Sequence, residues 1–288
     1  VSGATSAHAR TDFDLAKTYW RRWLVVQAVM PLLGVIAAFL PDWKAVAAVA
    51  PLLTVVFGLV ALHLRAEAEQ HFENAERIRR TDLLRVGLGV EPPPEEIARQ
   101  LTETAAEPSP ELESKSPYYN SPLDPGPRRL AHIIAESAHF TDALAKRTAK
   151  LCFTVAIIGG TFVVLVMFAV LALIPKTAAP PGGTASLLQQ NASGIASACI
   201  AIGSFFALGT LVELWRSFGS LSRIAEATRT RCMSLLNQRT LALHEVIFAL
   251  EPYNCALAKS APIPTYIWEK HKGRLTKSWA EASKAVTP

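Results

Sequence analysis

Four long stretches of this 288-residue chain contain no Asp, Glu, Lys or Arg: Trp23–Leu40, Ala45–Leu64, Leu151–Ile174 and Ala192–Val212. Proton- and ion-coupled carriers usually keep an ionisable group at mid-membrane depth, so this absence argues against a secondary transporter. Charged residues are scarce overall, at 18%, while 50% are hydrophobic and the mean hydropathy is +0.24. A soluble domain would scatter its apolar residues periodically and would not gather them into blocks.

Other absences remove whole classes of chemistry. The chain has no G-x-x-x-x-G-K-[ST], no G-x-G-x-x-G, no H-E-x-x-H and no G-x-S-x-G. No Ser or Cys is spaced with a His in a way that suggests a nucleophile and its base, so a non-enzymatic protein with no cofactor is expected. Cysteine is rare: Cys152, Cys199, Cys232 and Cys255 form no C-x-x-C pair. Free thiols are expected in place of a disulfide framework or a zinc knuckle. A small-x-small cleavage site is missing near the first apolar run, which therefore reads as a retained span.

What is present is a pattern of spans and charge. Each apolar run is about 18 to 24 residues long, enough to cross a hydrocarbon core of about 30 Å as a helix. Lys and Arg number 4 in residues 1–22, 12 in residues 65–150 and 11 from Glu213 onward, whereas the two short connections hold only Lys44 and Lys176. By the positive-inside rule both termini and the long insert face the cytoplasm. The expected fold is all-α: a polytopic membrane protein with four transmembrane helices in two hairpins and helical cytoplasmic extensions. Its expected divisions are a cytoplasmic segment 1–22, a hairpin 23–64, a cytoplasmic helical insert 65–150, a second hairpin 151–212 and a cytoplasmic helical region 213–288. The net charge of +5 then points to the lipid bilayer as a partner, and direct nucleic-acid binding is not expected.

Taken in order, residues 1–11 are small and polar and read as disordered. Tyr19-Trp20-Arg21-Arg22-Trp23 suits a cytoplasmic interface, and Trp43 an outer one. His63, near the inner end of the second run, is placed to sense pH or meet a permeant ion, or simply to reach the interface. Arg65–Val86 continues the second run as a helix that Gly87 and Gly89 end. A proline-rich stretch, 108–127, leads to Arg128–Lys150, whose Leu130, Ile133, Ile134, Ser137, Phe140 and Leu144 share one side. That stripe needs a partner: the opposing stalk, the C-terminal helix or another subunit. After the fourth run a helix from Ser217 is expected to end at Pro252. The basic, aromatic tail from Lys259 suits lipid headgroups better than nucleic acid.

The candidate site residues follow from spacing. His132, Glu136 and His139 share one helix face with metal-ligand spacing, yet no second Glu-x-x-His accompanies them, so a hydrogen-bonded cluster is the competing assignment. Gly159 and Gly160 allow close helix approach, and Ala196, Cys199, Gly203 and Ala207 form a small-residue stripe suited to packing, within or between subunits, or to lining a pore. Tyr118 and Tyr119, with Arg128 and Arg129, form a candidate cytoplasmic surface for a partner or ligand, although adjacent tyrosines also pack on neighbouring helices.

Two hairpins around a helical insert, with Tyr118-Tyr119-Asn120-Ser121, Arg128-Arg129-Leu130, Glu136-Ser137-Ala138-His139-Phe140-Thr141 and Leu144, resemble the SMODS-associated four-transmembrane effectors of bacterial anti-phage defence. The resemblance implies a bacterial inner-membrane, multi-pass homo-oligomer that permeabilises or depolarises the membrane when a cytoplasmic nucleotide signal or sensor protein engages it. A constitutive channel or small-solute transporter, and a membrane scaffold recruiting a soluble partner, are the alternatives.

Overall fold

The computed structural model describes residues 2–39, 44–104, 119, 121–173 and 184–284. For helix residues 2–5, 31–39, 44–48, 50, 51, 54, 101, 166, 167, 169–173 and 184–207 it describes the backbone alone. The expected outer turns, the proline-rich stretch up to Tyr118 and the side chains of Ala196, Cys199, Gly203 and Ala207 lie outside the described residues.

The chain is all-helical. Seven helices are described: α1 (Ser2–Phe39), α2 (Lys44–Leu88), α3 (Pro94–Glu103), α4 (Pro127–Leu173), α5 (Thr184–Leu236), α6 (Leu243–Ala258) and α7 (Thr265–Lys284). It divides into two compact units, one of Val1–Thr18, Glu67–Lys150 and Trp215–Pro288, the other of Tyr19–Ala66 and Leu151–Leu214.

The first unit is a polar-surfaced helical domain with an ordinary apolar core. Leu83 of α2, Leu130, Ile133 and Ile134 of α4, Phe218, Leu221 and Leu236 of α5, and Val246 and Tyr253 of α6 are all but fully buried. Burial of each such side chain stabilises the unit by roughly 1.5–3 kcal/mol before ordering costs. Gly89 ends α2 with φ +72°, donating its N–H to the Arg85 carbonyl at 2.8 Å. Gly87 is required for a different reason: a Cβ there would stand 2.7 Å from Leu130 Cδ1 and 3.0 Å from Leu130 Cα. The apolar stripe of α4 finds one partner in the C-terminal helix, where Leu144 packs with Ile267 and Leu275, flanked by Phe140 and Trp268.

Three expectations about this unit are corrected. Residues 2–11 are helical, with Ala7 and Ala9 buried, because small side chains let α1 pack closely. Asp12 and His71 meet in the buried zone at 3.1 Å, and Phe13 lies edge-on to Phe72 at 5.7 Å. Pro252 lies inside α6, and the helix from Ser217 stops at Leu236. The tail forms α7, with Ile267, Leu275 and Trp279 buried, so part of its aromatic content serves the core.

The second unit is inverted in character. Leu52, Val55, Val56, Leu59, Val60 and Leu62 of α2 are exposed, as are Ile157, Ile158, Phe162, Leu165 and Phe168 of α4. Among the described residues one helical stretch, Pro127–Leu165, is long and apolar enough to cross a membrane. At one end of this unit the Arg65 guanidinium sits 5.6 Å over the buried Trp23 ring, and Trp20 packs on Trp23 at 4.6 Å.

Candidate functional site: the buried polar seam of the charged unit

Arg79 of α2 organises the first unit's interior. Its Nε and Nη2 donate to Glu76 Oε2 at 3.0 and 2.8 Å, a pairing possible because the two stand one turn apart on the same helix. Its Nη1 donates to Tyr119 Oη at 3.0 Å and reaches Ser137 Oγ of α4 at 3.5 Å. Ser137 Oγ and Thr141 Oγ1 lie 3.0 and 2.7 Å from Tyr253 Oη of α6. One hydrogen-bonded network around Arg79 thus joins α2, the segment before α4, α4 and, through Ser137 and Thr141, α6. Burial alone would lower the Arg79 pKa, but Glu76 and the two tyrosines outweigh it and hold it raised, so the cation is permanent. Burial pushes the Tyr253 hydroxyl up, and it remains a neutral phenol.

A second polar group ties α4 to α5. Ser222 Oγ donates to Asp142 Oδ1 at 2.7 Å, and Lys146 Nζ bridges Asp142 at 3.1 Å and Glu226 at 3.2 Å.

The His132, Glu136 and His139 face is closed by α7. Trp279 packs against the His132 ring at 5.3 Å and the His139 ring at 5.7 Å. His139 Nδ1 faces Arg229 Nη1 at 3.2 Å and must accept, which leaves Nε2–H to donate to Ser278 Oγ at 2.9 Å. That tautomer is neutral, and both burial and Arg229 hold the His139 pKa down. Burial lowers His132 and raises the Glu136 carboxyl to about 7. Among the described residues neither His132 Nδ1 nor Glu136 Oε2 has a hydrogen-bond partner. Among the described residues no three His, Cys, Asp or Glu side chains are arranged to hold a metal ion. Trp279 and Ser278 of α7 thus pack on this face of α4, and the hydrogen bond between the two helices there is made by His139.

The candidate partner surface separates into different roles. Tyr119 is buried in the Arg79 seam, not displayed. Arg128 donates to the Leu236 and Gln238 carbonyls at 2.8 and 3.0 Å, satisfying the C-terminal end of α5. Arg129 is half-buried, and among the described residues its Nε has no hydrogen-bond partner. Gly159 and Gly160 both face Leu208, but a Cβ on either would meet it at 3.8 and 3.9 Å, ordinary contact. The packing there accommodates alanine, so close approach is not what fixes these two glycines. Cys152 and Cys232 are buried free thiols, and burial pushes Cys232 up to about 12.

A small open recess lies between α2 and α3, lined by Thr81, Asp82, Arg85, Glu91 and Gln100 among others. Its polar groups engage one another: Arg85 pairs with Asp82, and Gln100 donates to Thr81 at 2.8 Å.

Sequence spacing did not reveal Arg79, Glu76 and Tyr253 as a group, because Tyr253 belongs to α6, far in sequence from the Glu76–Arg79 turn of α2. The one local signal was Glu76-x-x-Arg79 within a helix, a spacing shared by many solvated pairs. Compared with known family models, curated proteins and solved structures, the chain matches none.

Proposed function

We propose that the chain is a non-enzymatic bacterial inner-membrane effector. Its four apolar runs cross the bilayer, its termini and insert face the cytoplasm, and copies associate to permeabilise or depolarise the membrane on a cytoplasmic signal. The observation that carries the membrane part is the inverted second unit, whose outward side chains on α2 and α4 are Leu, Val, Ile and Phe. The signal-receiving part is assigned to the first unit. Support comes from its separate core and from the resemblance of Tyr118–Ser121, Arg128–Leu130 and Glu136–Thr141 to the defence effectors.

Induced expression in a bacterial host with the neighbouring genes, followed by a potential-sensitive dye during phage challenge, tests this. Depolarisation preceding growth arrest is expected; an unchanged membrane potential during arrest contradicts the reading. A membrane scaffold is the second reading, favoured by the exposed Leu243, Ile247 and Phe248 on α6. One stoichiometric soluble partner without conductance would select it.

A further inference from the structure

Helix α7 has two unlike sides. Ile267, Leu275 and Trp279 are buried, with Ile267 and Leu275 packed around Leu144 of α4. The outward side carries Tyr266, Lys270, Arg274, Lys277 and Lys284, all exposed, with Glu281 as its acid. His271 is half-buried at the edge between the two sides. Nearby acids are already engaged: Glu269 pairs with Lys272 at 2.6 Å, and Asp142 and Glu226 pair with Lys146. Desolvation first, and then Arg147, Arg274 and Lys270, holds the His271 pKa down, and Arg274 likewise opposes Arg147. Leu144, three residues before Arg147, packs on Ile267 and Leu275, which flank Lys270 and Arg274 in α7, so these cations lie along one α4–α7 junction. Among the described residues none of the three is in an ion pair.

We propose that Arg147, Lys270 and Arg274 form a docking surface for the phosphate groups of anionic lipid headgroups. The proposal rests on the membrane reading above. Arg147 precedes Leu151, where the uncharged run begins, by four residues of one helix, or about 6 Å of rise. A headgroup layer about 5–7 Å deep occupies that level when the run spans the hydrocarbon core. Lys270 and Arg274 are exposed and Arg147 is half-buried, and the polar recess described above lies elsewhere, beside α3. An open row of cations beside Tyr266 suits a sheet of headgroups better than one enclosed nucleotide. Arg147 also donates to its own Ala143 carbonyl at 3.3 Å, which keeps the guanidinium against the stem.

The test uses the full chain, delipidated in an uncharged detergent, with retained lipid counted by native mass spectrometry. Phosphatidylglycerol is expected to be retained at least tenfold more tightly than phosphatidylcholine, and the R147Q/K270Q/R274Q chain is expected to lose that preference. Because Arg147 is half-buried, K270E/K277E serves as a second variant confined to exposed positions; it is expected to weaken retention about tenfold with unchanged helicity. Equal retention of both lipids, or an undiminished preference in K270E/K277E, overturns the proposal. So does displacement of the preference by millimolar pyrophosphate or a short oligonucleotide, which would assign the cations to a soluble polyanion. Wild-type chain that enters phosphatidylcholine nanodiscs without any anionic preference defeats this inference alone. Chain that remains soluble without detergent defeats the membrane reading along with it.

Discussion

The Arg65 guanidinium lies 3.5 Å from the Glu213 carboxylate, joining the residue after the second apolar run to the residue after the fourth. Trp23, the first residue of the first run, sits under the same guanidinium. Three run boundaries that the charge distribution assigns to one side of a membrane are thus neighbours in space. The pair is too exposed to stabilise the fold by more than about 1 kcal/mol, so its value is as a positional marker. R65C/E213C, in a chain whose native cysteines are replaced by serine, is expected to be joined by a short thiol cross-linker in isolated membranes. K44C/E213C is expected not to be joined, because Lys44 and Arg65 are separated by about 30 Å of helix. Equal cross-linking of both pairs would contradict the paired boundaries.

Arg79 and Glu76 are both almost fully buried, which makes the loss of either partner costly. R79A leaves a buried carboxylate without its cation and is expected to cost about 3–5 kcal/mol. The thermal midpoint should fall by roughly 6–15 °C. An E76L/R79M chain, which removes both charges, is expected to regain most of that loss. A midpoint for R79A within 1 °C of wild type would show that the seam is not structural.

Glu136 supplies a pH dependence of definite sign. Its carboxyl titrates near 7 when folded, above its ordinary value of 4.5, so the folded chain holds a proton that the unfolded chain has released between those values. Stability from this group is therefore full below pH 4.5 and is lost as pH rises to about 7. His132 and His139, both lowered, act oppositely, losing stability as pH falls below the 6.5 of an ordinary imidazole. E136Q isolates the carboxyl: relative to wild type it should gain roughly 1 kcal/mol between pH 5 and pH 8, after discounting for partial exposure. Parallel stability curves for the two chains would rule the shift out.

Much of the helical layout was legible from residue patterns. Gly87 and Gly89 mark the end of α2, Pro127 opens α4, and the Leu130–Leu144 stripe is buried as its spacing required. What could not be read depends on tertiary partners. The break after Leu236 has no glycine or proline at 237–242; it exists where Arg128, far away in sequence, takes the carbonyls of Leu236 and Gln238. Pro252 sits inside a helix on its exposed side, one turn after the exposed Phe248, whose carbonyl loses its usual amide partner. Residues 2–11 look unstructured because alanine and serine carry little hydropathy, yet small size is what lets Ala7 and Ala9 be buried. The His132–His139 spacing suits either ligation or a hydrogen-bonded cluster, and spacing alone does not reveal that Trp279 and Ser278 pack on that face.

Sidedness is the claim on which the proposed effector mechanism depends, and single-cysteine labelling measures it directly. Cells expressing K44C or K176C, in the cysteine-free background, should react with a membrane-impermeant maleimide added outside. E95C and S283C, standing in the insert and the C-terminal region, should react only after lysis. Labelling of E95C or S283C in intact cells, or protection of both K44C and K176C, would contradict an inward-facing charged unit carried by four membrane-crossing helices.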